Sequence, residues 1–343
     1  MILLNKLLYK LLKISNQFIF VSSTVLITLS SFFIYSVEPE TFETPFNGFW
    51  WVMTTVTTVG YGDYYPTTIT GKIFAVFLYI FGIGLISIVI SKVVESVFVY
   101  KKKKEEGKLR YTGVNHFVII DWSKNADLAI QEILNSDPTV EIVLIDQLEK
   151  TPFPHDRVHY VNGNPIYKKI LDQANLAKAR AVFIFSNELT EHGNFIRDTS
   201  FVDGKTLLIA TTIERDFEHV YTIVEVRERE NINNFVHAKI DEFILSSEAV
   251  SQLAVRSAFS PGASKIVTQL LSKQYGDDLY EIKRRPHWIT YHDAFEELLR
   301  EGATLVSEGE NLNINRRLDE KIAEDARLFV ICDKQTYEKL KTG

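Results

Sequence analysis

The residues of this sequence whose types and spacing best suit a specific chemistry are Thr57-Thr58-Val59-Gly60-Tyr61-Gly62-Asp63. The useful groups are backbone carbonyls. A potassium ion that leaves water must exchange its hydration shell for protein oxygens, and a segment whose successive carbonyls all point one way supplies them. Glycines at alternate positions, Gly60 and Gly62, permit the dihedrals this requires, and Thr58 can add its hydroxyl. One chain provides one wall of such a cage, so four copies around an axis would complete it.

The elements around this run fit that use. From Ile14 to Val37 and from Ile73 to Ser91 there is no charged residue, and each stretch can cross a bilayer core of about 30 Å as a helix rather than serve as a cleavable signal. Phe46 to Val56, opened by Pro45 and Asn47, reads as a short helix that enters the membrane without crossing it and leads into the glycine run. Lys6, Lys10 and Lys13 precede the first span and Lys101 to Lys104 follow the second, whereas the loop between them carries Glu38, Glu40, Glu43 and Asp63 against Lys72. The positive-inside rule therefore puts both termini in the cytoplasm of a multi-pass cell-membrane protein, with the lysine run near anionic headgroups. Over all 343 residues the net charge is −6 with 46% apolar and 24% charged residues, which excludes a disordered tail and gives no nucleic-acid partner. A single cysteine, Cys332, excludes an intrachain disulfide and a paired-thiolate zinc site.

The run TTVGYGD behind two tryptophans resembles the pore loop of tetrameric potassium channels. The resemblance implies a selectivity filter of Thr58, Val59, Gly60, Tyr61 and Gly62, supported by Trp50 and Trp51 as an aromatic cuff and by Asp63. Tyr61 separates it from related sodium-and-potassium pores, which have Asp there. Many members pair that aspartate with a glutamate on the pore helix; Thr54 stands at the matching position, so Asp63 is expected to lack this partner. Neither span contains an arginine, so no voltage sensor is expected and opening must be driven from elsewhere. Gly82 and Gly84 lie where the resemblance puts a gating hinge, and close packing against the first span is an equal explanation of such small residues. Ser87 and Ser91, four apart, are expected to line the cytoplasmic side of the pore.

Beyond Tyr111 the pattern changes. Brief apolar strands at Phe117–Ile120, Ile142–Ile145, Val158–Val161, Ala181–Phe185, Thr206–Ala210 and Tyr221–Val226 alternate with helical stretches at Ala126–Leu134, Tyr167–Ala177 and Glu188–Asp198, which implies a parallel, Rossmann-like sheet. This order, with GNPIYKKILDQANLAKARAVFIF from Gly163, resembles the RCK (regulator of potassium conductance) domain of the Trk and Ktr regulatory subunits and of the calcium-gated archaeal channel. The expected fold is thus an α-helical pore domain joined to an α/β RCK domain with a small α+β C-terminal lobe. The expected boundaries are 1–100 for the pore, 101–115 for a linker, 116–245 for the RCK N-lobe, 246–275 for a helix-turn-helix broken at Ser260-Pro261-Gly262, and 276–343 for the C-lobe, whose last strand covers 325–331. The resemblance assigns the helix-turn-helix to RCK–RCK dimers within a gating ring above a homotetrameric pore. Met1 and Met53 are the only methionines, so no ordinary start codon precedes a free RCK subunit. The expected ring therefore has four tethered lobes, alone or completed by lobes from a separately encoded protein or from another channel.

Two ligand classes stay open. Nucleotide-binding versions have a glycine-rich turn after the first strand, where this chain has Asp121-Trp122-Ser123-Lys124-Asn125-Ala126. A tightly held dinucleotide such as NAD is disfavoured, while ADP or AMP could use Asp121, Ser123, Asn125, Asp146 and Asn164. For calcium the resemblance retains Glu225, but Phe185 and Arg227 occupy the other two ligand positions, so the family's main calcium site is expected to be absent. Glu228, Glu230, Asp241 and Glu242 are either a second acidic site or one face of a solvated helix. The function that follows is a potassium channel gated by an intracellular ligand, not an enzyme. The alternative, a membrane-anchored NAD-dependent oxidoreductase, lacks both the glycines and a constellation for hydride chemistry.

Overall fold

The computed structural model describes residues 16–189, 194–272 and 276–342, so Lys6, Lys10 and Lys13 lie outside the described residues. The chain divides into two compact units, Met1–Lys103 and Lys104–Gly343.

In the first unit, α1 (Asn16–Val37) and α4 (Ile69–Glu105) are the two helices long and apolar enough to cross a membrane among the described residues. Between them lie α2 (Pro39–Phe42) and α3 (Pro45–Val56). Thr44 caps α3 by accepting from the Asn47 amide at 3.3 Å, with Pro45 at the first position, where a missing N–H costs nothing. Ile34, Phe42, Trp51, Val52, Val56, Ala75 and Leu78 form its core. A Cβ on Gly48 would lie 2.6 Å from the Ser31 carbonyl, so only glycine allows α3 to approach α1 this closely.

The second unit begins with a six-stranded parallel sheet ordered β3-β2-β1-β4-β5-β6. Its strands are β1 (Phe117–Ile120), β2 (Ile142–Asp146), β3 (Val158–Asn162), β4 (Ala181–Ile184), β5 (Tyr221–Val226) and β6 (Glu242–Leu245). The crossovers contain α5 (Lys124–Ser136), α6 (Lys168–Gln173) and α7 (Thr199–Phe217). Two apolar cores cover the sheet, and β1 to β4 are buried nearly throughout, as a parallel sheet with helices on both faces requires, while the edge strand β6 is exposed or half-buried along its length. Then come α8 (Ser246–Phe259) and α9 (Ala263–Leu270), separated by Gly262 at φ 96°. A second sheet, β7 (Asp277–Lys283), β9 (Arg327–Asp333) and β8 (Thr304–Glu308), is antiparallel in that order and packs on α10 (Tyr291–Arg300), with α11 (Lys334–Thr342) at the end.

Several expectations are corrected. Thr206–Ala210 is not a strand but part of α7, because Val202, Thr206, Ile209, Ala210, Ile213 and Phe217 are buried at helical spacing. A short apolar run fits either element, and its neighbours decide. The described parts of 188–198 are not helical, and Leu189 pairs with Phe195 in an isolated bridge. Asp241 and Glu242 are not on an acidic helix: Asp241 accepts from the Thr222 amide at 2.7 Å and Glu242 opens β6. Residues 101–115 do not form a free linker, since α4 continues to Glu105 and the following residues are bonded into the second unit.

Candidate functional site

The α3 C-terminus hands the chain directly to the glycine run. The Thr54 carbonyl accepts from the Val59 amide at 2.8 Å and the Gly60 amide at 3.1 Å, and the Thr54 hydroxyl donates to the Trp51 carbonyl at 3.1 Å. From there φ is positive at Thr58 (62°), Gly60 (57°) and Gly62 (77°) but not at Val59 or Tyr61. Alternating handedness turns successive carbonyls that would point to opposite sides in a regular strand toward the same side. Glycine adopts that region freely at two of the three positions; Thr58 adopts it with strain, as residues at functional sites do.

Asp63 takes a partner from α3 that is not a carboxylate. The Trp50 Nε1 donates to its Oδ2 at 2.8 Å, and the Trp50 ring stacks on Tyr61 with centroids 5.7 Å apart and planes 1° from parallel. Trp51 points the other way, buried and edge-on to Phe42. The two tryptophans therefore divide the work, one holding the glycine run and the other anchoring α3.

Sequence reasoning missed Glu38. It is buried, and its carboxylate accepts from the Thr67 amide (2.9 Å) and hydroxyl (3.0 Å), the Thr68 amide (3.0 Å) and hydroxyl (2.6 Å), and the Thr41 hydroxyl (3.1 Å). It thus ties the end of α1 to the start of α4. Burial pushes the carboxyl up, but the bonds from Thr67 and Thr68 outweigh it and hold it down at about 2.

Gly82 and Gly84 are not equivalent. A Cβ on Gly82 would lie 2.5 Å from Val56 Cγ1, so this glycine serves close packing, against α3 rather than the first span; around Gly84 there is open space. Ser87 and Ser91 are exposed on α4, and the Ser87 hydroxyl donates back to the Ile83 carbonyl at 2.8 Å.

At the carboxyl ends of β1, β2 and β5 the second unit gathers Asp121, Asn125, Asp146 and Glu225, but these residues already hold one another and their neighbours. Asp121, buried at φ 66°, pairs with Lys205 of α7 at 2.7 Å. Burial raises its carboxyl while Lys205 opposes the rise. Asp146 accepts from the amides of Trp122 (2.6 Å), Gln147 (2.6 Å) and Leu148 (3.0 Å). Ser123 caps α5 by accepting from the Ala126 amide at 3.2 Å. The Asn125 amide donates to Glu225 at 2.7 Å, and the other Glu225 oxygen accepts from the Ser186 amide at 2.9 Å. Asn164 lies apart, in the turn after β3, where it accepts from the Ile166 amide at 3.0 Å.

A dinucleotide therefore does not fit the residues expected to hold it: its phosphates would meet the Asp121 carboxylate, and the Asp146 oxygens that would bind a ribose are taken by backbone amides. Calcium fits no better at Glu225, which lies 3.7 Å from Arg227 Nη1, and among the described residues no three His, Cys, Asp or Glu side chains are grouped to hold a metal. Lys205 and Asp203, which accepts from the Arg227 and Glu228 amides and the Asn231 side chain, carried no sequence signal that marked them.

Comparison with known proteins agrees with both halves. Residues 20–99 match the family model described as an ion channel, and residues 133–236 match the calcium-activated potassium channel slowpoke-like RCK domain. The chain is 28% identical over 228 residues to YugO of Bacillus subtilis, covering 66% of this chain and 67% of that protein. It is 27% identical over 238 residues to the calcium-gated potassium channel TvoK of Thermoplasma volcanium, covering 69% and 67%. Among solved structures it resembles the human SLO3 gating ring with a TM-score of 0.51 at 13% identity, a likeness of fold that spans 66% of this chain and 46% of that one.

Proposed function

Because the chain belongs to the potassium channels that join an ion-channel pore to an RCK domain, we propose that four copies surround one potassium-selective pathway and that the RCK domain opens and closes it in response to an intracellular ligand. Thr58, Val59, Gly60, Tyr61 and Gly62 line the filter, and Trp50 and Asp63 brace it from behind. The observation that carries this reading is the alternation of positive φ at Thr58, Gly60 and Gly62. In this reading it provides one-sided carbonyls for a dehydrated cation. The alternative of a membrane-anchored oxidoreductase gives way, since the relatives are potassium channels.

In this reading the protein lies in the cell membrane with both termini in the cytoplasm. Ser87 and Ser91 face the water-filled vestibule, and Gly84, free of neighbours, is the bend in α4. The α8 and α9 helices have no buried residues in one chain and expose Val250, Val255, Phe259 and Ile266, which suits pairing of RCK domains into a ring. TvoK is calcium-gated, which supports a cytoplasmic ligand for this fold, although Glu225 here is committed to Asn125 and Ser186. The coupling segment is 106–115. Tyr61→Asp tests the filter: thallium uptake into proteoliposomes should persist while sodium enters at a comparable rate. Unchanged exclusion of sodium in that variant would contradict the role given to Tyr61.

A further inference from the structure

Residues 106–115 follow α4 directly, and the RCK domain grips them through many bonds. The Asn162 amide donates to the Gly107 carbonyl at 3.0 Å, Gln173 Nε2 reaches the carbonyls of Gly107 (2.9 Å) and Leu109 (3.3 Å), and the Tyr111 amide donates to the Gln173 carbonyl at 2.9 Å. Asn175 donates to the Gly113 carbonyl at 2.7 Å, and the Asn115 amide to the Lys178 carbonyl at 2.8 Å. A Cβ on Gly107 would stand 2.3 Å from the Asn162 nitrogen, so the approach is as close as the backbone allows.

Two histidines complete the grip. His159 of β3 has Nε2 at 3.0 Å from the Leu109 carbonyl, and His116, just before β1, has Nε2 at 3.1 Å from the Ala174 carbonyl. A carbonyl only accepts, so both rings carry their proton on Nε2. Tyr111 lies between them, with ring centroids 4.5 Å from His116 and 5.4 Å from His159, and its hydroxyl donates to Glu141 at 2.5 Å. His116 is 1% exposed, and its Nδ1 is the one buried side-chain polar atom among the described residues that has no hydrogen-bond partner. A neutral ring leaves only a lone pair there. A protonated ring would bury an N–H and a charge with no acceptor.

We propose that His116 and His159 form a proton-binding clamp: proton uptake on cytoplasmic acidification releases residues 106–115 from the RCK domain, which makes the proton a ligand of this regulatory domain. The proposal rests on the reading of 106–115 as the segment that couples the RCK domain to the pore. Burial holds both rings below the usual histidine range; for His116 the Ala174 bond and Glu141 oppose this and His159 adds to it, and for His159 the Leu109 bond and Glu141 oppose it and Lys104 adds to it. Since the gripped form resists protonation, above about pH 6.5 the clamp is unaffected, and as the pH falls below that value the released form takes up protons and gains population by up to about tenfold per histidine per unit.

The test is hydrogen–deuterium exchange of the full chain in detergent, read at residues 106–115 between about pH 7.5 and about pH 5.5 after correction for intrinsic exchange. The wild type should lose protection by roughly tenfold or more, and the double variant His116→Gln/His159→Gln, whose amides can still donate to the Ala174 and Leu109 carbonyls, should keep it within about twofold. Unchanged protection in the wild type, or an equal loss in the double variant, overturns the proposal. Should the double variant not fold, NMR titration of the His116 ring in the wild type decides: a midpoint below about 6.5 supports the clamp, and one at or above it overturns it. Exchange is read without ion flux. A pH-dependent release beside a pH-indifferent flux would therefore support the clamp and count against the coupling reading alone.

Discussion

Trp50 and Asp63, thirteen residues apart, are joined by a 2.8 Å hydrogen bond from the indole to the carboxylate, while the same indole lies parallel to the Tyr61 ring. The α3 helix thereby holds the far end of the glycine run by charge and its middle by stacking. It does so with no acidic residue of its own.

Trp50→Phe keeps the stacking and removes the donor. A hydrogen bond to a charged group is worth about 1.5–3 kcal/mol, so this local loss should reduce the conducting population several-fold or more. Potassium flux per channel should fall in proteoliposomes while the thermal unfolding of the detergent-solubilised protein changes little. Undiminished flux would show that the bond does not support the conducting form.

Glu38→Gln should lower the stability of the first unit by about 2 kcal/mol, because the charge-assisted bonds to Thr67 and Thr68 become ordinary ones and one acceptor oxygen is lost. The pH dependence has a definite sign. The carboxyl is depressed to about 2 in the folded protein, so its stabilisation is complete above the unfolded carboxyl range near about 4.3 and declines as the pH falls from there toward about 2. Thermal melts of wild type and variant should differ by a constant amount from pH 6 to about pH 5 and draw closer toward pH 3 without meeting, since the loss is complete only near about 2.

The two glycines of α4 separate in a single experiment. Gly82→Ala brings a methyl against Val56 and should destabilise the packing of α3 by about 1–3 kcal/mol. Gly84→Ala meets no atom and should stabilise the helix by about 1 kcal/mol, at the cost of bending. Melting temperature should fall in the first and not in the second, and open probability should fall in the second.

Lys205→Met strands the buried Asp121 carboxylate, and removing one partner of such a pair costs about 3–5 kcal/mol. Adding Asp121→Asn should restore most of the loss in a melting experiment. Asp121→Gly alone places glycine at φ 66° and leaves Lys205 without its counter-charge, so a thermal shift with ADP should arise in this variant and not in the wild type.

What the sequence made legible was local. The filter run, the two spans and the short helix declare themselves within a few residues, because backbone handedness and bilayer thickness act at that range. The relationships that hold the site in place were out of reach. Glu38 looked like one more loop acid because its partners stand 29 and 30 residues away, and the Trp50 bond to Asp63 depends on the turn between them. The crevice residues look open in the sequence because Lys205 stands just outside Thr206–Ala210, the run that reads as a strand; once the whole of 199–217 is the α7 helix, its lysine pairs with Asp121.

The central claim is a potassium-selective pathway built from Thr58 to Gly62, and the reversal potential of the purified chain in a planar bilayer tests it most directly. With potassium chloride at unequal concentrations on the two sides and sodium chloride making up the difference, the current should reverse close to the potassium equilibrium potential. A reversal near zero, with sodium carrying current as readily as potassium, would contradict it.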